Sequence, residues 1–412
     1  MRSSRSSMHS FGRFLVGLFL ALLIVDGALR IVEATPLWRV LPVVEPIIGQ
    51  PDPEFGFDST PGAQGIWITE HRSIVRINSL GLRDVERQIA KPAGTFRIGL
   101  TGDSMVEAMQ VEQAATFAAL AERRLRQEGY EVELINLGIA GPNPVRQLWR
   151  LNKRGYRLGL DLIVANSSVE SFLSGLLLDD SDNPAYVSAG NGELRIGYAF
   201  RERFSQRHAD DLLGRAFIAL VQNSPLLRML YLRSRQPLPA LLGLTAAAAP
   251  AAQLQPAALD GSQTSCTRAA AALAPMLGFW RDHQPALEWA ATARFLEDLA
   301  RGARARDAAV VYLVREIPLP RSDCAAASSA RAELVGEMER EFARRGIRMI
   351  DWSAAVAALV GGPSALPGLH GFGLRRGAGH LNYDGHRAWA DALSALVREE
   401  LASRGKLAPA RN

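Results

Sequence analysis

The segment FRIGLTGDS, from Phe96 to Ser104, starts as a short apolar strand and ends in a turn. Four more strands are predicted from short runs of the same kind, Val132–Asn136, Leu162–Ala165, Ala308–Val314 and Arg348–Asp351. Helices are predicted at Ala114–Gln127, Val145–Lys153, Ala325–Arg345 and Gly385–Leu401. Because strands that are apolar without alternation are separated by helices, the sequence predicts an α/β domain whose parallel sheet is covered on both faces.

Ser104 directly follows the first of these strands. In open parallel sheets, ligands bind at the carboxyl ends of the strands. A turn from strand to helix exposes a side chain there and directs backbone N–H groups at a developing oxyanion. Gly-Asp-Ser after a strand is also common turn sequence, so a nucleophile needs a second feature to support it.

A histidine near the other end of the chain supplies that feature. The run GHLNYDGH, from Gly379 to His386, immediately precedes the last predicted helix. Serine needs a base to become a nucleophile, and His380 on a loop at the same edge of the sheet would provide one. Asp103 is expected to support the turn around Ser104, and His386 is expected to pack or cap.

Composition excludes several classes of protein. The chain has 412 residues, 48% of them hydrophobic and 22% charged, which is typical of a globular protein. Its formal net charge is +5, but the basic residues are scattered among acidic ones without a dense stripe, which argues against a nucleic-acid partner. No cluster has metal-ligand spacing, so neither a metal nor a cofactor is predicted.

The N-terminus predicts a membrane anchor. Three arginines within the first 13 residues precede an apolar run from Phe14 to Val25. The run reaches the roughly 20 residues of a membrane span only by continuing to Val32, with Asp26 and Arg30 near the outer interface. The predicted location is the inner membrane, single pass, with the main domain in the periplasm. The alternative is a signal peptide cleaved near Val32-Glu33-Ala34.

Export places both cysteines in an oxidising compartment. Cys266 and Cys324 fit no zinc pattern, and paired thiols outside the cytoplasm tend to form disulfides. We therefore predict a bridge between them that clamps a long excursion of the chain.

The chain divides into four predicted segments. Residues 1–35 form a cytoplasmic stub and transmembrane anchor, and residues 46–95 a β-rich lead-in with a hairpin over 65–78. Residues 96–402 form the α/β domain, interrupted by an insert at about 170–284, and residues 403–412 a tail. Within the insert, Leu244–Ala258 is rich in Ala, Pro and Gln and is predicted to be a loop or linker.

These motifs together resemble the SGNH/GDSL hydrolase family, in particular its membrane-anchored bacterial envelope members. The resemblance covers roughly Pro51 to Leu401 and rests on four blocks, Arg76–Asp84, Gly102–Val111, Asn136–Gly141 and Gly379–His386. It implies a flavodoxin-like three-layer sandwich, with Ser104 and His380 as the catalytic pair. It also implies that the backbone of Ser104 and of Gly141 forms the oxyanion hole, with Asn382 supporting the histidine loop.

Two positions depart from the family pattern. Where the family carries an oxyanion asparagine, this chain carries Glu170, and Asn166 lies four residues earlier as the substitute oxyanion donor. Where the family carries an acid three residues before the histidine, this chain carries Gly377. Asp384 is expected to cap the last helix, so a backbone carbonyl is expected to orient His380 in a Ser-His dyad.

Three functions remain open at this point. The first is a serine esterase that hydrolyses O-acyl or O-acetyl esters of envelope carbohydrates, and the second is a polysaccharide O-acyltransferase with the same nucleophile. The third is a catalytically impaired protein that binds glycans or acts as a scaffold. The expected partners are an acylated saccharide or other small ester and the membrane, and the sequence leaves the oligomeric state open.

Overall fold

The computed structural model describes residues 3–35, 37, 49–52, 55–67, 70–141, 143–174, 176–177, 183–188, 193–198, 216, 220–221, 223–234, 266–320 and 323–405. The predicted linker from Leu244 to Ala258 lies outside these residues, as does most of the predicted tail.

The strands in this part of the chain are β1 Gly49–Asp52, β2 Gly56–Ser59, β3 Gln64–Trp67, β4 Ser73–Arg76, β5 Phe96–Thr101, β6 Val132–Asn136, β7 Leu162–Ser168, β8 Ala185–Ser188, β9 Leu194–Gly197, β10 Ala309–Arg315 and β11 Arg348–Asp351. The α-helices are α1 Ser3–Ala34, α2 Ser104–Glu107, α3 Phe117–Gln127, α4 Pro144–Arg150, α5 Glu170–Ser174, α6 Pro225–Ser234, α7 Cys266–Asp282, α8 Ala286–Arg304, α9 Ala325–Ala343, α10 Trp352–Leu359 and α11 Tyr383–Ser403.

Five strands form the central sheet in the order β6-β5-β7-β10-β11, and every pair is parallel. Numbered along the chain, this is the order 2-1-3-4-5 of flavodoxin-like sheets. Strand β5 is buried along its whole length, as are the middle strands β7 and β10 over most of theirs. The α/β class with a parallel sheet is therefore confirmed, and all five predicted strands are present.

Two helical layers cover the sheet. Helices α4, α7, α8 and α9 build one apolar core with the sheet, and α3, α10 and α11 build the other. Strands that are buried on both faces must be apolar at successive positions, which explains their unbroken apolar sequence. The predicted helix from Ala114 begins at Phe117, because the hydroxyl of Thr116 accepts from Ala119 N and caps it. The predictions included neither α8 nor α10.

Two small antiparallel sheets precede the α/β domain, β1 with β2 and β3 with β4. The second is the predicted hairpin, and it is fastened to the segment that follows α2. Ser73 Oγ donates to Met109 O, and Arg83 Nη2 donates to Val111 O at 2.8 Å. These contacts attach the hairpin and the segment that follows it to the carboxyl edge of the sheet, where β5 ends.

The insert returns to the body through a disulfide. Cys266, the first residue of α7, is bonded to Cys324, which precedes α9. Among the described residues these cysteines and Asp323 form a cluster with metal-ligand types, but both sulfurs are occupied by the bond.

Within the described part of the chain, one helix is long and apolar enough to cross a membrane. The stretch Phe11–Val32 of α1 has 22 residues, and an 18-residue window within it has a mean hydropathy of 2.3. An N-terminal signal sequence passes the same test of length and composition. We therefore describe α1 as a candidate span.

Candidate active site

The nucleophile segment is a tight turn between β5 and α2. Asp103 precedes α2, and its carboxylate accepts from Met105 N at 2.9 Å, which caps the first turn. Ser104 is therefore the first residue of a helix of only four residues, at the carboxyl end of a buried strand. This arrangement leaves the side chain of Ser104 partly exposed.

The histidine loop is held by Asn382. Its side chain accepts from Gly385 N at 3.0 Å and so caps α11. The amide of the same side chain donates to Gly368 O at 2.9 Å, and the backbone of His380 accepts from Gly371 N at 2.8 Å. Asn382, and not the expected Asp384, is the helix cap, because Asn382 directly precedes α11 while Asp384 lies within its first turn and pairs with arginines at the surface.

Three side chains form a hydrogen-bonded chain at this edge of the sheet. His380 Nε2 lies 2.8 Å from Ser104 Oγ, and His380 Nδ1 lies 2.8 Å from Glu70 Oε1. Glu70 Oε2 also accepts from His380 N at 3.1 Å. A carboxylate on Nδ1 fixes the tautomer that leaves Nε2 free to accept the serine proton.

Glu70 corrects the prediction of a Ser-His dyad. The expected acid position, Gly377, lies exposed with φ at +99°, and His380 is oriented by a carboxylate instead of a backbone carbonyl. Burial alone would raise the pKa of Glu70, but the hydrogen bonds and charge of His380 outweigh it and hold the pKa below its ordinary 4.5. Glu70 is therefore ionised wherever a histidine base would work.

Sequence reasoning missed Glu70 because it lies 310 positions before His380. It stands in the turn between β3 and β4 with φ at +67°, in the left-handed region that favours glycine. Strained backbone of this kind clusters at functional sites. The sequence carried one usable signal, a glutamate at the tip of the predicted hairpin.

The loop after β6 lies against the nucleophile turn. Ile139 N donates to Gly102 O at 2.9 Å, and Ala140 N donates to Glu107 Oε2 at 2.9 Å. Gly138 is required there, since a Cβ would lie 2.4 Å from Glu107 N. Gly141 follows with φ at +117°, a conformation that suits glycine.

Asn166 is engaged elsewhere. Its side-chain oxygen accepts from Arg315 Nη1 at 2.7 Å, and its amide lies 3.4 Å from Leu313 O within the sheet. Arg315 also donates to both carboxylate oxygens of Asp103, and all three side chains are buried. Asn166 thus supports the nucleophile turn from below through Arg315, and its role as an oxyanion donor stays a prediction.

Glu170 begins α5 just beyond the carboxyl end of β7. Partial desolvation, and then the neighbouring carboxylate of Glu316, raise the pKa of Glu170. His386 is buried in the core, where Phe117 N donates to its Nδ1 at 3.2 Å. It packs, as expected, and takes no part in the chain of three side chains.

Neither a protein-family profile nor a curated protein sequence matches the chain. Solved structures that share features of the fold include TesA, with a TM-score of 0.35 and 14% identity over 74% of this chain and 98% of that one. They also include the lipase/acylhydrolase from Enterococcus faecalis, at 0.34 and 14% over 75% and 96%. A third is the psychrotrophic esterase EstA from Pseudoalteromonas sp., at 0.33 and 9% over 74% and 98%. We therefore base the functional proposal on the side chains of the site.

Proposed function

We propose that this protein is a serine esterase with the triad Ser104, His380 and Glu70. Ser104 Oγ attacks the ester carbonyl, His380 Nε2 takes the serine proton and passes it to the leaving alcohol, and Glu70 stabilises the imidazolium between these steps. Water then attacks the carbonyl of the acyl-enzyme while His380 Nε2 takes its proton. The proton returns to Ser104 Oγ as the acid product leaves. The observation that carries this proposal is the pair of 2.8 Å contacts that link the three side chains.

The oxyanion would be held by backbone N–H groups. The N–H of Ser104 lies at the start of a helix, and the loop that carries Gly141 is hydrogen-bonded to Gly102 and Glu107 on either side of it. Donors fixed by backbone contacts need no rearrangement when charge develops on the substrate. This assignment leaves Asn166 in a supporting role.

The proposed substrates are O-acyl or O-acetyl esters of envelope carbohydrates outside the inner membrane. Two features support this choice. The side chains of His380 and Glu70 are 18% and 16% exposed, so the site is reached from solvent. The candidate span of α1 would hold the domain beside the envelope.

The test is hydrolysis of a short-chain aryl acetate by the full chain in detergent, beside Ser104→Ala and the matched control Ser328→Ala. Ser328 is an exposed serine on α9. We expect turnover by the wild type and by Ser328→Ala, and a loss of at least about 10³-fold in Ser104→Ala. Unchanged turnover in Ser104→Ala would refute the assignment.

A phosphonate trap separates the alternatives. Covalent labelling of Ser104 without ester hydrolysis would favour the O-acyltransferase, which is then assayed by acyl transfer to a saccharide acceptor. Absence of both labelling and hydrolysis would favour the glycan-binding or scaffold function.

A further inference from the structure

The outer end of α1 contacts the start of α6, a helix of the insert. Asp26 Oδ1 accepts from Ser224 Oγ at 2.6 Å and from Leu226 N at 3.2 Å. Ser224 Oγ in turn accepts from Leu227 N at 3.1 Å. A carboxylate from one helix therefore satisfies N–H groups at the positive end of another.

Apolar packing and a second polar contact reinforce this junction. Leu29 of α1 and Leu226 of α6 bury each other, with Met229 packed beside them. Arg30 Nε donates to Asp26 Oδ2 at 2.8 Å, and its guanidinium also donates to Asn223 O. The residues of α1 that contact α6 thus combine an apolar side chain, Leu29, with the polar pair Asp26 and Arg30.

This junction fixes the depth of α6 relative to a bilayer. A helix of 22 residues extends about 33 Å, the thickness of the hydrocarbon core. Asp26 and Leu29 lie about 9 and 5 Å before its end at Val32, so α6 begins near the outer boundary of the acyl chains. Arg30, with its side chain 54% exposed, is placed to reach phosphates there.

Among the α6 side chains that the structure describes, the exposed ones are two leucines. Leu227 and Leu230, spaced three apart on one face, are 37% and 51% exposed. The lipid-facing residues of α1 are exposed in the same way, from Phe14 to Ile24. Apolar side chains beside the outer end of a membrane span lie at the boundary between lipid headgroups and acyl chains, where contact with lipid buries them.

We propose that α6 lies in the outer leaflet interface, with Leu227 and Leu230 in contact with lipid, and that Asp26 locks it to the membrane anchor. The proposal rests on the membrane-anchored form of the proposed function, with α1 retained in the mature chain. Cleavage after Ala34 would remove Asp26 and leave Leu226 N without this acceptor. The insert then acts as a second contact that sets the orientation of the catalytic domain on the membrane.

The test places a single thiol-reactive fluorophore on the full chain reconstituted in phosphatidylcholine–phosphatidylglycerol vesicles. Both native cysteines are in the disulfide, so a new cysteine is labelled selectively. Labels at Leu230→Cys, at Leu20→Cys in the span and at Leu359→Cys are compared by quenching with lipids brominated along the acyl chain. Leu359 is a matched control, since it is 54% exposed at the end of α10.

We expect quenching at Leu230→Cys to exceed that at Leu359→Cys by at least about two-fold, and to be strongest with bromines near the headgroup. In Asp26→Ala the excess should disappear, while Asp26→Asn, which keeps an accepting oxygen, should retain it. Quenching at Leu20→Cys with none at Leu230→Cys would overturn the placement of α6 and leave the anchor intact. No quenching at either position would overturn both, while the esterase assay in detergent would still judge the catalytic proposal.

Discussion

At the scale of single residues, the site depends on charges that arrive from distant parts of the chain. Glu70 orients the histidine, and Arg315 neutralises Asp103 beneath the nucleophile turn. Neither residue belongs to the motif it serves. Both act through geometry, since each holds another side chain in the conformation that the chemistry needs.

Replacement of Glu70 by Gln should lower kcat/KM for an aryl acetate by about 10²- to 10⁴-fold. The imidazolium of His380 loses its counter-charge, and the proton on Nδ1 is no longer held there by a carboxylate. KM should change little, since Glu70 does not contact the ester in the proposed mechanism. Asp384→Asn is the matched control, an exposed acid near His380 in sequence that pairs with Arg376 and Arg387. Equal losses in the two variants would contradict the triad.

Replacement of Arg315 by Met should reduce the free energy of unfolding by about 3–5 kcal/mol, because it leaves the buried carboxylate of Asp103 without its partner. The double variant Arg315→Met with Asp103→Asn should recover a large part, since Asn still caps α2 without a charge. Denaturant unfolding of the single and double variants measures the difference. A double variant as unstable as Arg315→Met would show that packing, and not charge, explains the loss.

At the scale of elements, helix caps position the catalytic loops. Asp103 caps α2, Asn382 caps α11, and each cap adjoins a residue of the triad. Sequence patterns located α11 but assigned its cap to Asp384, and they did not predict α2, which has only four residues. The positions of the elements relative to one another depend on buried contacts, of which the contact between α3 and α11 through His386 is testable.

His386 should make the protein acid-sensitive. Burial, and then the charge of Arg83, lower the pKa of His386 from 6.5 to about 3. Between these values the unfolded chain takes up a proton that the folded chain does not. The histidine's contribution to stability is therefore complete above pH 6.5 and is lost as the pH falls towards 3, by up to about 1.4 kcal/mol per pH unit.

His386→Asn removes this titration while it keeps an acceptor for Phe117 N. Thermal unfolding of the wild type and the variant from pH 7.5 to 4 should give curves that converge as the pH falls. Parallel curves would show that His386 does not carry the pH dependence.

At the scale of the whole molecule, two apolar cores lie on opposite faces of one sheet, and Ser104 and His380 lie at its carboxyl edge. The N-terminal hairpin adds Glu70 to that edge. The disulfide fastens the insert to the start of α9, in the layer that contains α4, α7 and α8. Segments outside the α/β domain therefore complete the site and constrain the insert.

Loss of the disulfide through Cys266→Ser with Cys324→Ser should lower the free energy of unfolding by about 4 kcal/mol, because the bond closes a loop of 58 residues in the unfolded chain. The matched control is the wild type with its disulfide reduced. Its melting temperature should fall by the same amount as that of the double variant. Esterase activity at low temperature should persist, since the bond does not contact the triad. A melting temperature that is unchanged in the double variant would argue against a structural role.

Local patterns by themselves determined the α/β class, the five strands of the sheet and the positions of Ser104 and His380. This was possible because apolar runs, turn residues and helix caps act over a few neighbouring residues. Only the tertiary structure decided that Glu70 pairs with His380, that Arg315 pairs with Asp103 and that Asn166 is held within the sheet. Those contacts join residues 310, 212 and 149 positions apart, and their formation depends on the packing of hairpin, strand and loop, which no local pattern encodes.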